Sequence, residues 1–127
     1  MNLALLALAA VASAQPNMQD DPRLLRMPAV SGDNVVFAYA GDLWKCTLDG
    51  GTATRLTTFS GSEGMPRISP DGKTIAFVGS YDGAPEVYTM PIDGGEPKRI
   101  TFTADPDLVL GWTPDGKIMV ANGDQNT

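Results

Sequence analysis

Ser69-Pro70-Asp71-Gly72-Lys73 recurs 44 residues later as Thr113-Pro114-Asp115-Gly116-Lys117, and Leu48-Asp49-Gly50-Gly51 recurs at the same offset as Ile92-Asp93-Gly94-Gly95. A repeat of about 40 to 45 residues that is rich in strands and turns is typical of the four-stranded blades of β-propellers. The sequence therefore predicts an all-β protein, an incomplete β-propeller fragment of about two and a half four-stranded antiparallel blades. We place the first blade at residues 24–62, the second at 63–107, and the start of a truncated third blade at 108–127.

Each repeated turn has its own conformational reason. In Pro70-Asp71-Gly72 and Pro114-Asp115-Gly116 the proline presets φ at the first corner, the aspartate bonds the nearby backbone, and the glycine adopts the left-handed conformation. Asp49-Gly50 and Asp93-Gly94 are predicted as type I′ hairpin turns, which require positive φ at both central residues. We therefore assign these residues to the structural repeat and not to catalysis.

The second strand of each predicted blade is apolar on both faces, which indicates a strand packed between two neighbouring sheets. These strands are predicted at residues 35–39, 75–78 and 118–120, the third strands at 43–48 and 87–92, and the last strands at 55–57 and 99–101. Trp44 and Tyr88 occupy the same position of the third strand in two repeats. Aromatic residues at such positions usually pack between blades, so we favour this role for Trp44 and Trp112 over stacking on a sugar or base.

The second repeat carries four extra residues, Tyr81-Asp82-Gly83-Ala84, between its second and third strands. Loops around a propeller channel commonly carry binding function, so this loop is a candidate binding element. A slightly longer surface turn is the alternative that we favour.

Residues 3–12 form an unbroken apolar run, which is followed by Ala12-Ser13-Ala14, a small-x-small pattern that signal peptidase cleaves. The run is too short to span a membrane, which takes roughly 20 apolar residues. We therefore predict a signal peptide at residues 1–14, a linker at 15–23, and a periplasmic or secreted protein after cleavage near Ala14.

The composition excludes several kinds of site. The chain has 9 basic and 15 acidic residues and a formal net charge of −6, which is unfavourable for a nucleic-acid partner. It has no histidine, so Ser-His-Asp and Cys-His catalysis cannot be completed within it. No calcium-loop or phosphate-loop motif is present, and we predict no metal or other cofactor. Cys46, the single cysteine, aligns with the apolar position Met90 and is predicted to be a buried, unreactive thiol.

From Leu24 to about Val120 the sequence resembles the opening of the tricorn-type serine peptidases, whose N-terminal half is built from WD40-like (PD40, TolB-like) propeller blades. The motifs that carry the resemblance are Leu24-Leu25-Arg26, Ser31-Gly32-Asp33, Tyr39-Ala40-Gly41-Asp42-Leu43-Trp44, Ser80-Tyr81-Asp82-Gly83, Gly94-Gly95-Glu96-Pro97-Lys98-Arg99 and Gly111-Trp112-Thr113-Pro114-Asp115-Gly116. The resemblance implies a parent polypeptide in which this chain begins the first propeller, and a second propeller, a PDZ-like module and the peptidase core follow. The catalytic serine, histidine and glutamate of that family match no residue here, so no catalytic role is carried over.

The resemblance implies a non-catalytic propeller segment of an exported peptidase that gates or scaffolds the access of oligopeptides. Expected partners are the remainder of its own polypeptide, peptides or proteins, and further copies in a homo-oligomer. Two alternatives stay open because the Pro-Asp-Gly motif is shared: a TolB-like periplasmic protein-binding propeller, and the propeller of a prolyl-oligopeptidase-like hydrolase. A TolB-like protein should place an α/β domain before the propeller, whereas blade-like sequence begins here close to the predicted cleavage site. Because two and a half blades leave open strand edges, we expect the isolated chain to aggregate.

Overall fold

The computed structural model describes residues 26–123, which form ten β-strands and no helix. The predicted signal peptide and the linker at 15–23 lie outside the described residues. The strands are β1 (Arg26–Ser31), β2 (Asn34–Tyr39), β3 (Asp42–Thr47), β4 (Gly50–Arg55), β5 (Ser62–Ile68), β6 (Thr74–Ser80), β7 (Glu86–Pro91), β8 (Lys98–Arg99), β9 (Asp107–Trp112) and β10 (Ile118–Asn122).

The strands form three separate antiparallel sheets in chain order. The first sheet has the order β1-β2-β3-β4, the second has the order β5-β6-β7-β8, and β9 pairs with β10. Strand β5 contacts β1 on one side and β9 on the other, so the first strands lie where the three sheets converge. The predicted all-β fold and the four-stranded antiparallel sheets are confirmed, and the repeats do not merge into one sandwich.

The core lies between successive sheets, and β6 contributes to both of its parts. Ile75 and Phe77 belong to a buried cluster shared with the first sheet. Ala76 and Val78 belong to a second cluster, shared with Val109 of β9. The two-faced apolar strand predicted at this place is therefore confirmed, and burial of one large side chain of this kind contributes about 1.5–3 kcal/mol.

The fourth strands differ from the prediction. Strands β4 and β8 each end two residues before the boundaries predicted for the last strands, 57 and 101, and β4 begins earlier, at Gly50. Thr57 turns its side chain inward, where its Oγ1 accepts a hydrogen bond from the Leu43 N–H at 2.9 Å. Thr101 Oγ1 accepts from the Val87 N–H at the same distance. At both places a threonine hydroxyl, and not a main-chain carbonyl, accepts the hydrogen bond. The main-chain hydrogen bonds between the third and fourth strands therefore end there.

The predicted type I′ turns are wrong. Gly50 (φ 90°) and Gly94 (φ 96°) have positive φ, but Asp49 and Asp93 before them do not. The Gly94 N–H donates to the Pro91 carbonyl at 3.0 Å, so the aspartate is the second corner of an ordinary turn and the glycine follows it. A left-handed glycine after a type I turn is the other common hairpin geometry. An Asp-Gly pair fits both geometries, so the dipeptide alone does not distinguish them.

Cys46 is half-buried, and the predicted full burial is wrong. It lies on the face of β3 opposite to Leu43, which packs toward the second sheet. Met90, its equivalent in β7, faces the first sheet and is 2% exposed. Burial nevertheless raises the pKa of the Cys46 thiol, which lowers its thiolate fraction and its reactivity.

Candidate binding site between the first two sheets

A polar cluster lies at the end of the first sheet where β3 begins and β4 ends. Arg55 Nη2 lies 2.6 Å from Asp42 Oδ2. Thr57 Oγ1 accepts from the Leu43 N–H and donates to Glu63 Oε2, each at 2.9 Å. Thr57 is fully buried and Glu63 is 5% exposed. The cluster therefore ties β3, β4 and β5 together inside the protein.

The same cluster recurs 44 residues later. Arg99 pairs with Glu86, which is 3% exposed, in place of the first ion pair. Thr101 accepts from the Val87 N–H in place of Thr57. No sequence motif groups these side chains, although their common 44-residue spacing is a signal of the repeated cluster.

The two clusters differ in the hydrogen-bond donors to their second carboxylate. Asp107, the equivalent of Glu63, has both oxygens paired: Oδ1 accepts from Asn122 Nδ2 at 3.0 Å, and Oδ2 accepts from Thr103 Oγ1 at 2.6 Å. Glu63 Oε2 accepts from Thr57 Oγ1, and the buried Tyr81 hydroxyl also donates to the Glu63 carboxylate. Both carboxylates therefore have two side-chain donors, Thr57 and Tyr81 for Glu63, and Thr103 and Asn122 for Asp107.

Tyr81, from the four-residue insertion, is wedged between the first two sheets. Its ring makes edge contacts with Tyr88 and Phe59, with ring centroids 4.8 Å and 5.8 Å apart. The ring leaves no room for side chains at Gly61 and Gly79, where an added Cβ would lie 3.1 Å and 2.9 Å from ring atoms. The favoured interpretation of this loop as a surface turn is therefore wrong for Tyr81, while the next two loop residues are exposed.

The electrostatic surroundings of Glu63 disfavour its charged form. Burial raises the pKa of the Glu63 carboxyl, and the hydroxyls of Tyr81 and Thr57 oppose that rise. The charge of Asp42 raises the Glu63 pKa further, and that of Arg55 lowers it. Burial, followed by the interaction with Glu63, also raises the pKa of Tyr81. A cation placed beside the pair would stabilise the Glu63 carboxylate.

A cavity of about 400 Å³ opens beside Glu63, where β1 and β5 begin. Its wall is mostly apolar, and it includes Arg26, Met27, Ala38, Tyr39, Gly41, Glu63 and Gly64. Because β1 and β5 are first strands, the cavity lies on the side where the sheets converge.

Part of the cavity wall is an irregular stretch of β1. Met27 (φ 54°) has a left-handed backbone, and so has Met65 (φ 50°) in β5; each lies in a bulge and precedes a proline. Met27 Sδ accepts a hydrogen bond from the Met65 N–H at 3.2 Å. This conformation is uncommon for residues other than glycine and unfavourable before proline, so both bulges store strain where the two sheets meet. The sequence Met-Pro-x-x-Ser, at 27–31 and again at 65–69, is the signal that could have revealed them.

The predicted Pro-Asp-Gly turns lie at the opposite end of the sheets. Gly72 (φ 73°) and Gly116 (φ 85°) have the predicted left-handed conformation. Asp71 Oδ1 accepts from Ser69 Oγ at 2.5 Å and from the Lys73 N–H at 3.0 Å. These bonds, the first of them most strongly, lower the pKa of the Asp71 carboxyl.

The two Pro-Asp-Gly turns line a second cavity, of about 380 Å³. Pro70 and Pro114 contribute to its wall, together with Trp112. Thr113 Oγ1, two residues before Asp115, donates to Asp115 Oδ1 at 2.5 Å. This bond lowers the pKa of the Asp115 carboxyl, as the equivalent bond does in the first turn. Trp112 Nε1 donates to the Arg67 carbonyl at 2.9 Å, so this side chain packs between two sheets as predicted.

The two aromatic residues at the shared third-strand position have different surroundings. Tyr88 is 8% exposed and stacks on Phe77 between the first two sheets, as predicted. Trp44 lies on the other face of β3, contacts the Tyr39 ring edge-on at 6.1 Å and donates to the Tyr39 carbonyl at 3.2 Å. Within residues 26–123, packing between sheets is therefore observed for Tyr88 and not for Trp44.

The hairpin residues Asp49, Gly50, Asp93 and Gly94 lie away from the cavity beside Glu63. Asp93 Oδ1 accepts a hydrogen bond from Lys45 Nζ at 2.5 Å, and this ion pair connects the second sheet with the first. The Asp93 side chain is 83% exposed, so this pair contributes little to stability.

Comparisons with known proteins found a matching family model, similar proteins and similar solved structures. Residues 22–127 match the model of the tricorn protease N-terminal beta propeller domain. Tricorn protease homolog 1 of Streptomyces coelicolor is 41% identical over 99 residues, which covers 77% of this chain and 9% of that protein. The crystal structure of the tricorn protease superposes with a TM-score of 0.67 at 28% identity, over 76% of this chain and 10% of that one. TolB from Acinetobacter baumannii superposes with a TM-score of 0.68 at 27% identity, over 81% of this chain and 28% of that one.

The chain spans about a tenth of Tricorn protease homolog 1 and of the solved tricorn protease. In the part of the chain that the structure describes, no helix is long and apolar enough to cross a membrane. The family model covers most of the sequence, and the described sheets superpose on a part of a solved tricorn structure. The chain therefore belongs to the family of tricorn protease N-terminal β-propeller domains.

Proposed function

We propose that this chain is the non-catalytic N-terminal propeller segment of an exported tricorn-like serine peptidase, in which it gates or scaffolds the access of oligopeptides. Its blades would comprise residues 24–62, 63–107 and the beginning of a third at 108–127. Further blades and the peptidase core would follow on the same polypeptide, which we expect to form a homo-oligomer. The family match and the much greater length of the 41% identical relative support this proposal.

The observation that carries the gating role is the cavity where β1 and β5 converge. In a closed propeller the first strands of the blades surround the central channel. A cavity on that side would open toward a peptide that passes along the channel. Because the chain has no histidine, a Ser-His catalytic step would take place elsewhere in the polypeptide.

Substitution of Gly64 by Phe in the complete polypeptide tests the gating role. Gly64 lines the cavity, and an added Cβ would lie 3.8 Å from Met27 Sδ, an ordinary contact, so a side chain can project there. We expect kcat/KM for a ten-residue peptide to fall at least tenfold, while that for a chromogenic tripeptide stays unchanged. Thr52→Phe, on the exposed face of β4, is the matched control. Equal effects on both peptides, or no effect on either, would contradict gating.

Export is tested separately, by N-terminal sequencing of the mature protein. We expect the mature chain to begin at Gln15, because the apolar run ends in the small-x-small sequence before it. A mature protein that retains Met1 would contradict export.

A TolB-like protein-binding propeller is the second candidate function. The TM-score of 0.68 with a TolB structure over 81% of this chain favours it. Absence of peptidase activity in the complete polypeptide, together with stoichiometric co-purification of an envelope protein, would support this candidate over the first.

A further inference from the structure

We propose that Asn122 is a modification site, at which spontaneous deamidation produces aspartate or isoaspartate, and that the new carboxylate weakens the junction of the second and third sheets. The inference is independent of the proposed function, because it depends on the chemistry of one dipeptide and its neighbours. Asn122 ends strand β10, Gly123 follows it, and the Asn122 amide is one of the two side-chain donors to Asp107.

The glycine after Asn122 makes its side-chain amide reactive. The main-chain nitrogen of the next residue attacks the side-chain carbonyl carbon, and glycine lacks the Cβ that hinders this approach. A bond forms from the Gly123 nitrogen to Asn122 Cγ, the Cγ–Nδ2 bond breaks, and ammonia leaves. Water then opens the cyclic imide at either carbonyl. The net change converts an amide and water into a carboxylate and an ammonium ion, without an oxidant or another co-reactant.

The packing of the chain favours glycine at position 123. The Gly123 N–H donates to the Pro106 carbonyl at 2.9 Å. A Cβ added at Gly123 would lie 3.0 Å from that carbonyl oxygen, which is closer than most side chains approach. The preceding repeat has Val78-Gly79 at the equivalent positions, where the residue before the glycine has no amide to lose. Among residues 26–123 the reactive dipeptide is therefore confined to the third sheet.

The surroundings of Asn122 determine the effect of a new carboxylate. Asp107 is 1% exposed, and its Oδ1 accepts from Asn122 Nδ2 at 3.0 Å. After deamidation an acceptor replaces this donor, so two carboxylates face each other and the buried one loses a partner. Like charges at this separation repel, and a buried charge without its donor is costly.

Asp107 connects the third sheet with the second. Its N–H donates to the Pro85 carbonyl at 2.8 Å, directly before β7. Its Oδ2 accepts from Thr103 Oγ1 at 2.6 Å, in the loop that joins the two sheets. Val109, two residues further along β9, belongs to the buried cluster that both sheets share. Repulsion at Asp107 therefore weakens the packing of β9 against the second sheet.

The folded chain slows the reaction. The Asn122 amide is bonded to Asp107, and the Gly123 N–H is bonded to the Pro106 carbonyl. The attacking nitrogen must first lose its bond, so the reaction takes place when this end of the β9–β10 hairpin opens locally. Because the products do not return to the amide, modified chains accumulate with time.

The test is incubation of the complete polypeptide in mildly alkaline buffer, followed by peptide mapping with mass spectrometry. We expect Asn122 to be converted to the acid at least tenfold more slowly than in a synthetic peptide of residues 118–127. Asn34 is the internal control and should stay unmodified, because the β-branched Val35 follows it. In the modified fraction, separated by ion exchange, hydrogen-exchange protection of β9 should be at least tenfold lower than in the unmodified protein.

Three variants test the effect of the charge. Asn122→Asp should lower the protection of β9 at least tenfold. Addition of Asp107→Asn should restore it, because one amide and one carboxylate again face each other. Asn34→Asp introduces the same charge in the first sheet and should leave the protection of β9 unchanged.

An Asn122 that stays unmodified after the free peptide has reacted completely would overturn the modification site. Unchanged protection of β9 in Asn122→Asp, an equal loss in Asn34→Asp, or no recovery in the double variant would overturn the effect on the junction. The modification itself is measured on the wild-type protein, so it does not depend on the folding of any variant.

Discussion

Replacement of Thr57 by Val should destabilise the junction of the first two sheets far more than the same replacement at Thr101. Valine has nearly the shape of threonine but no hydroxyl, so the change leaves the Leu43 N–H and Glu63 Oε2 buried and unpaired. A buried group left unpaired costs about 1–3 kcal/mol, and more when it is charged, so the two together cost about 3–5 kcal/mol. Thr101 is partly exposed and accepts one bond, from the Val87 N–H, so its replacement should cost about 1–2 kcal/mol.

Hydrogen exchange measured by mass spectrometry on the peptide that covers β3 would compare the two variants. A loss of 3–5 kcal/mol lowers amide protection by about two to four powers of ten, and a loss of 1–2 kcal/mol lowers it by about one. The difference in amide protection between the two variants should shrink on acidification. Because the pKa of Glu63 is raised, the folded protein takes up a proton at a pH above the ordinary value of 4.5, and the unpaired carboxyl is then buried without a charge. Equal losses in both variants, or unchanged protection of β3, would refute the reasoning.

Three further outcomes are expected. Gly61→Ala should lower the midpoint of thermal unfolding more than Gly83→Ala: both have φ near 120°, but an added Cβ at 61 would lie 2.4 Å from the Ser80 carbonyl oxygen. Equal midpoints would show that the chain relaxes around this contact. Asp71→Ala should weaken the protein at neutral pH. Because the folded-state pKa of Asp71 is lowered, this stabilisation is present above its ordinary value of 3.8 and is lost as pH falls through the folded-state value, so urea unfolding curves of the two proteins should converge near pH 2. Asp93→Asn should change the free energy of unfolding by less than about 1 kcal/mol, and the effect should vanish in 1 M salt; a larger, salt-independent loss would contradict the surface role of its ion pair.

The fold was predictable because its signals are local and repeated. The turns Pro70-Asp71-Gly72 and Pro114-Asp115-Gly116 and the apolar strands that follow them depend on residues a few positions apart. The same locality explains the errors. Asp49-Gly50 fits two hairpin geometries, and the ladder of β4 ends because the Thr57 side chain bonds the Leu43 N–H of the neighbouring strand, a contact that the strand pattern does not show.

The candidate site was not predictable from motifs. Glu63 and Tyr81 are 18 residues apart in the same repeat, and the pairing of β5 with β6, where Glu63 lies opposite Gly79, brings them together. The second donor comes from different places in the two repeats, from Tyr81 after β6 for Glu63 and from Asn122 of β10 for Asp107. No motif around Glu63 in the sequence identifies Tyr81 as its second donor.

Strand β6, with a different sheet on either side, has no polar face. A strand with one wet face resists a slip of one residue, because the slip would put its apolar side chains in water. In β6 the same slip would only exchange Ile75 and Phe77 with Ala76 and Val78, so one apolar set would replace another. The register of β6 with its partners is therefore specified by the difference in side-chain volume between its two faces. In a strand with one exposed face, polarity specifies the register instead.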